Sequence, residues 1–154
     1  MISFKKKVLA PMIGKMIPIE DISDPVFSGK ILGDGLGIIP ENNDVFAPVT
    51  GEVIHVAETK HAVAILSNDG IELLLHLGID TVNLKGEGFE CFVNTGDTVK
   101  VGDKIMTMDL DFVKSKEIDT TCCIIITNHA DLKEYKISTG IAKSTKDCII
   151  EFKK

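Results

Sequence analysis

Two histidines hold most of the chemistry legible in this chain. His76 lies in Ile71-Glu72-Leu73-Leu74-Leu75-His76-Leu77-Gly78, an almost wholly aliphatic stretch closed by a glycine-led turn. Burying an imidazole without a hydrogen-bond partner costs on the order of a few kcal/mol, so this ring needs a partner or a task. His61 opens a second apolar run, Ala62-Val63-Ala64-Ile65-Leu66, and Ser67-Asn68-Asp69-Gly70 between the two runs reads as a turn. The pattern predicts an antiparallel hairpin. Positions 61 and 76 are nearly equidistant from 68 and 69, which makes the two rings cross-strand neighbours, about 5 Å apart at Cβ. Adjacent imidazoles permit two kinds of chemistry. They can share a metal, which ordinarily requires further ligands. Alternatively, one ring attacks phosphorus as a nucleophile while the other hydrogen-bonds the phosphoryl oxygens. His55 and His129 read as solvent-facing or locally satisfied side chains.

The elements that must position these rings are short. Asn42-Asn43-Asp44, Asn68-Asp69-Gly70, Lys85-Gly86-Glu87-Gly88 and Asn94-Thr95-Gly96-Asp97 punctuate brief apolar runs. This spacing predicts an all-β fold, an antiparallel sandwich or barrel of many short strands. Segments 110–116 and 130–135 can each form a short helical turn. Along 71–78, Ile71, Leu73, Leu75 and Leu77 share one face, with Glu72, Leu74, His76 and Gly78 on the other. There is also a repeat. Ala10-Pro11-Met12-Ile13-Gly14-Lys15-Met16-Ile17-Pro18-Ile19 matches Ala47-Pro48-Val49-Thr50-Gly51-Glu52-Val53-Ile54-His55-Val56, which suggests a duplicated β unit.

Composition narrows the partners. At 154 residues, with 44% hydrophobic and 26% charged, the chain reads as one globular domain spanning 1–154. Net charge is -6, which argues against nucleic acid and suits a basic protein partner. All 17 basic residues are lysines, so a phosphate handled here meets no guanidinium clamp and a second imidazole becomes its natural stabiliser. Cys91, Cys122, Cys123 and Cys148 have no metal-site spacing and read as reduced thiols. No apolar run reaches the roughly 18 residues of a membrane span, and no signal-peptide core follows the basic start. The expected location is cytoplasmic.

At this point the residues resemble a known family. His76-Leu77-Gly78-Ile79-Asp80-Thr81-Val82 looks like the phosphorylation motif of the glucose-type enzyme IIA family of the bacterial sugar phosphotransferase system. Further blocks match in the family's order: 26–35, 47–51, 59–62, 84–89 and 99–103. The resemblance implies a β-sandwich with a duplicated hybrid motif and a phosphotransferase component that works through a phosphohistidine. His76 would accept a phosphoryl group on its ε2 nitrogen from the phosphocarrier protein HPr. It would then pass the group to a cysteine on the IIB domain of a glucose-type IICB permease. His61 would hydrogen-bond the phosphoryl group, Thr59 would orient His61, and the Gly78 carbonyl would hold the other nitrogen of His76. An apolar docking rim of Val26, Phe27, Ile31, Leu32, Leu74 and Val82 is implied, with Asp24 and Asp80 meeting basic residues of HPr. Ala57 departs from members that carry an aromatic there. No cofactor is required, a monomer suffices, and the N-terminus is too short to give a stable membrane anchor.

Two other readings share these residues. Gly51-Glu52-Val53-Ile54 followed by Glu58-Thr59-Lys60-His61 resembles a lipoyl- or biotinyl-type carrier, in which Lys60 would be modified. The resemblance also admits a regulatory binding protein that uses the same face, with His61 and His76 supplying part of a zinc site in a partner complex.

Overall fold

The computed structural model describes residues 6–154. Lys6–Leu9 forms β1, Gly14–Pro18 β2, Asp34–Pro40 β3, Asp44–Phe46 β4, Gly51–Val56 β5, Ala62–Ser67 β6 and Glu72–His76 β7. Phe89–Cys91 forms β8, Thr98–Val99 β9, Lys104–Met108 β10, Cys122–Ile126 β11, Glu134–Ile137 β12, Gly140–Ala142 β13 and Cys148–Lys153 β14. Two short α-helices, α1 (Pro25–Ser28) and α2 (Leu110–Ser115), join them with a few 3-10 turns. Segment 110–116 is helical as expected. Segment 130–135 is helical only at its start: a 3-10 turn at His129–Asp131 gives way, after Leu132 and Lys133, to β12, whose alternating exposure suits an edge strand better than a helix.

The strands build one eight-stranded sheet, β13-β2-β3-β11-β7-β6-β5-β9, and two three-stranded sheets, β1-β14-β12 and β4-β10-β8. The pairings are antiparallel, as in the expected all-β sandwich. The main core lies between the large sheet and the two small ones. Leu36, Ile38, Ile65, Leu73, Leu75, Ile124 and Ile126 enter it from one side, and Ile105, Met106, Ile150 and Phe152 from the other. Each such side chain contributes roughly 1.5–3 kcal/mol by leaving water.

The duplication seen in ten residues extends through all fourteen strands of the described residues. Exchanging β1, β2, β3, β11, β12, β13 and β14 with β4, β5, β6, β7, β8, β9 and β10 reverses the large sheet onto itself and swaps the two small sheets. Hydrogen bonds follow the same exchange. Leu9 N donates to Pro48 O at 3.0 Å, and Phe46 N donates to Pro11 O at 2.8 Å. Ala10 N reaches Asp147 O at 2.8 Å, and Ala47 N reaches Asp103 O at 2.7 Å. The copy β4–β10 is continuous and is inserted between β3 and β11 of the other. Gly14 and Gly51 head the matched strands, where an added Cβ would fall on the carbonyl oxygens of Ile39 and Leu66.

Candidate functional site

The site begins with β7. Its alternation sends Leu73 and Leu75 into the main core and turns Leu74 and His76 to the opposite face. On the neighbouring β11, Cys123 pairs with His76 and Ile125 with Leu74. The connection between β2 and β3 folds back over these side chains. Its Ile19, Ile22 and Phe27 join Ile79, Cys123 and Ile125 in a small second core. Asp24 starts α1, its carboxylate accepting from Val26 N at 2.9 Å, with Pro25 in the first turn. His76 stands half-buried at the margin of that core, its ring centroid 5.0 Å from that of Phe27.

One nitrogen of His76 is committed. Nδ1 lies 2.8 Å from the carbonyl oxygen of Gly78. A carbonyl can only accept, so Nδ1 carries the proton and Nε2 keeps its lone pair. The chain can return on itself here because Gly78 has φ +76°, and an added Cβ would strike the side chain of the buried Thr81. Thr81 closes the same turn, its hydroxyl donating to Leu77 O at 2.6 Å. Ile79 N donates to Asp119 O at 2.9 Å, which ties the turn to the segment before β11.

His61 reaches the site from the short connection between β5 and β6. The register of this hairpin is one residue away from the expected one. Ala62 is opposite His76, while the carbonyl of His61 accepts from Leu77 N at 2.8 Å. The cause is the turn: it closes with Gly70 at φ +93°, and Ser67 Oγ accepts from Asp69 N and Ile71 N. A three-residue loop ending in a left-handed glycine shifts the pairing relative to a two-residue loop. The imidazoles nevertheless meet edge to face, centroids 4.8 Å apart at 81°. They can do so because His61 lies outside the regular strand, directly after the left-handed Lys60. Thr59 Oγ1 is 2.6 Å from His61 Nδ1.

Both rings favour the neutral form. Burial, and then repulsion by His76, pull the pKa of His61 down from 6.5 to about 4. Burial also lowers that of His76, against opposition from the Gly78 carbonyl, Asp24 and Asp80. A neutral Nε2 lone pair at a half-buried position beside a second neutral imidazole is a nucleophile with a hydrogen-bonding neighbour.

Of the expected rim, Val26 (41% exposed), Ile31 (72%), Leu32 and Val82 are exposed apolar side chains and Leu74 is half-buried. Asp80 is exposed and Asp24 half-buried. Phe27 does not share the exposure of the expected rim. It is only 4% exposed, because the short α1 turns consecutive residues to different sides and packs Phe27 into the second core. Sequence reading also passed over Asp119. Its carboxylate accepts from Thr121 N and Oγ1 at 2.9 and 2.7 Å and from Ser23 Oγ at 3.2 Å. The Asp119-x-Thr121 spacing is a local capping signal that pointed there. Among the described residues no group of three or more His, Cys, Asp or Glu side chains is arranged to hold a metal ion. Nor is any helix long and apolar enough to cross a membrane.

This fold and this pair of rings fit a phosphoryl carrier, and comparison with known proteins gives the family. Residues 6–132 match the phosphoenolpyruvate-dependent sugar phosphotransferase system, EIIA 1. The chain belongs to that family, and its function is that of a phosphoryl carrier in sugar uptake, a phosphotransferase component. The glucose-specific EIIA component of Buchnera aphidicola is 44% identical over 148 residues, covering 96% of this chain and 92% of the relative. That of Oceanobacillus iheyensis is 45% identical over 129 residues, covering 84% and 78%. Among solved structures, glucose permease IIA from Mycoplasma capricolum is similar at a TM-score of 0.87 and 39% identity, covering 97% of this chain and 96% of that one. Family membership implies interaction with the phosphocarrier HPr and with IIB and IIC permease components.

Proposed function

We propose that Nε2 of His76 accepts a phosphoryl group from phospho-HPr and passes it to the cysteine of the IIB domain of a glucose-type permease. The observation that carries this reading is the hydrogen bond from His76 Nδ1 to Gly78 O, which leaves Nε2 as the one free lone pair of the ring. Nε2 attacks phosphorus, a phosphorus–nitrogen bond forms, and the bond to the donor histidine breaks. Nδ1 keeps its proton, so the product ring is a phosphoimidazolium and a good leaving group. A thiolate on the second partner then forms a phosphorus–sulfur bond as the bond to Nε2 breaks, and the neutral ring returns. Thr59 donates its hydroxyl hydrogen to His61 Nδ1, so that His61 Nε2–H points its hydrogen bond at the phosphoryl oxygens.

Val26, Ile31, Leu32, Leu74 and Val82 form the apolar docking face, and Asp24 and Asp80 meet basic groups of HPr. Both partners use this face in turn, which requires only a monomer in the cytoplasm. The two imidazoles supply at most two ligands, so a zinc ion bound there takes the rest from a partner protein.

Intact mass after incubation with HPr already phosphorylated on its histidine at the expense of phosphoenolpyruvate tests the reading. We expect one added phosphoryl group that is lost in acid and absent in His76→Ala. Labelling that persists in His76→Ala refutes the assignment. A lipoyl-sized adduct on Lys60 would instead revive the carrier-domain alternative.

A further inference from the structure

Phe27 holds the phosphoryl-accepting ring in place and is not part of the docking face: we infer this positioning role from its place between His76 and the second core. The inference rests on the reading that His76 is the phosphorylated residue. Three contacts fix the His76 ring. Gly78 O takes Nδ1 at 2.8 Å, His61 meets the ring edge to face at 4.8 Å, and Phe27 lies against it at 5.0 Å and 58°. The first leaves the ring free to rock about the hydrogen bond, and the second comes from a partner that must itself hydrogen-bond the phosphoryl group. The third comes from a side chain that the second core holds in place. Phe27 is 4% exposed and packed among Ile19, Ile22, Ile79, Cys123 and Ile125.

Its backbone is pinned as well. Phe27 N donates to Asp24 O at 3.0 Å, and Ser23, just upstream, is tied to Asp119 at 3.2 Å. Asp119 O in turn holds Ile79 N, beside the glycine that supplies the carbonyl for His76. One anchor therefore serves both the aromatic wall and the carbonyl stop of the same imidazole. Val26, the neighbour of Phe27, is 41% exposed and points away from this core. A partner protein approaching the rings touches Val26, while Phe27 sets the direction of the Nε2 lone pair. In-line transfer is sensitive to such direction, since a misplacement of about 1 Å can cost roughly 100-fold in rate.

Phe27→Leu, Phe27→Met and Val26→Ala separate the two roles, with phospho-HPr as donor. The inference expects Phe27→Leu to lower kcat by roughly tenfold or more with KM close to wild type. Val26→Ala is expected to raise KM and keep kcat. Phe27→Met fills similar volume with a flexible chain, so it keeps the fold where Phe27→Leu fails and lowers kcat in the same way. Nitrogen-15 spectra of the unphosphorylated protein give a second readout. The wild type should show a single Nδ1–H tautomer of His76, and the Phe27 variants a broadened or averaged ring signal. A raised KM with normal kcat in the Phe27 variants makes Phe27 a docking residue and overturns the inference. Normal kinetics with an unchanged ring signal overturn it too. Failure of the wild type to be labelled on His76 refutes the reading beneath it, while the ring spectra still decide the clamp.

Discussion

The two halves of the exchange share a frame and differ in what they carry. By strand-to-strand correspondence, Ile125 on β11 occupies the place of His76 on β7, and Asp34 at the start of β3 that of His61 just before β6. Ile125 is fully buried, whereas His76 reaches solvent. The cause is loop length. The β2–β3 connection carries a 3-10 turn and α1, and it covers Ile125; the β5–β6 connection is a tight turn that covers nothing and brings in His61. The frame provides two equivalent addresses, and the loops decide which becomes a site. The long loop serves the opposite copy as well, because its Phe27 ends beside His76.

The largest test of this asymmetry moves the nucleophile. His76→Ala is expected to remove all phosphoryl acceptance. Ile125→His sets an imidazole at the equivalent address, yet it gains no second phosphoryl group, because the second core covers the position. It destabilises the fold by about 3 kcal/mol, the cost of a buried polar ring without a partner. Intact mass and denaturant melts read both effects. A doubly phosphorylated Ile125→His protein would show that burial does not separate the copies.

The symmetric part of the frame should respond symmetrically. Gly14→Ala and Gly51→Ala each push a methyl group onto a carbonyl oxygen of the neighbouring strand, at Ile39 and Leu66. Each is expected to cost about 3 kcal/mol, by denaturant midpoint, and the two costs should agree to within about 1 kcal/mol. A large difference would show that the matched strands are held by different contacts.

Much of this was legible before the structure, and the failures have physical reasons. Alternation placed the four side chains from Ile71 to Leu77 in the core, and all are buried. Turn signals gave the all-β class. The repeat was caught where the two copies run continuously from Ala10 and Ala47. Its second part escaped notice: Thr95-Gly96 through Asp103 matches Thr139-Gly140 through Asp147, and both aspartates cap their own loops. Insertion of one copy into the other scatters that match along the chain, and few residues besides the Thr-Gly start and the closing Asp are identical in it. The hairpin arithmetic missed by one residue because composition does not say how many residues a turn consumes. Phe27 was placed on the rim by the family resemblance, whereas exposure on a four-residue helix is decided by tertiary packing.

Protonation separates the copies in stability as well as in chemistry. His61 has its pKa depressed to about 4 by burial and by His76. The unfolded chain binds this proton near pH 6.5 and the folded chain only near pH 4. Stability is therefore fully present above pH 6.5 and is lost as pH falls towards 4. His61 is expected to account for about 2 kcal/mol of that loss by pH 4.5. Urea melts across this range should show a shallower decline in His61→Gln, with His76 responsible for part of what remains. An unchanged decline would mean that the ring is protonated in place without penalty.

The smallest effect concerns the counterpart of His61. Asp34 accepts a hydrogen bond from Tyr135 Oη at 2.6 Å and lies 3.7 Å from Lys30 Nζ. Where one copy sets a hydroxyl on an imidazole, the other sets a phenol on a carboxylate at the start of a strand. The bond to Asp34 is the main reason the phenol pKa rises from 10 to about 12, with burial second. Tyr135→Phe should cost about 1 kcal/mol, because the pair is only partly buried. The wild-type contribution is fully present below pH 10 and is lost as pH rises towards 12, since the unfolded phenol ionises first. Melts at neutral and alkaline pH should therefore converge for wild type and Tyr135→Phe, while phosphoryl transfer stays at the wild-type rate at neutral pH. A transfer defect in Tyr135→Phe would mean that the second address still feeds the first.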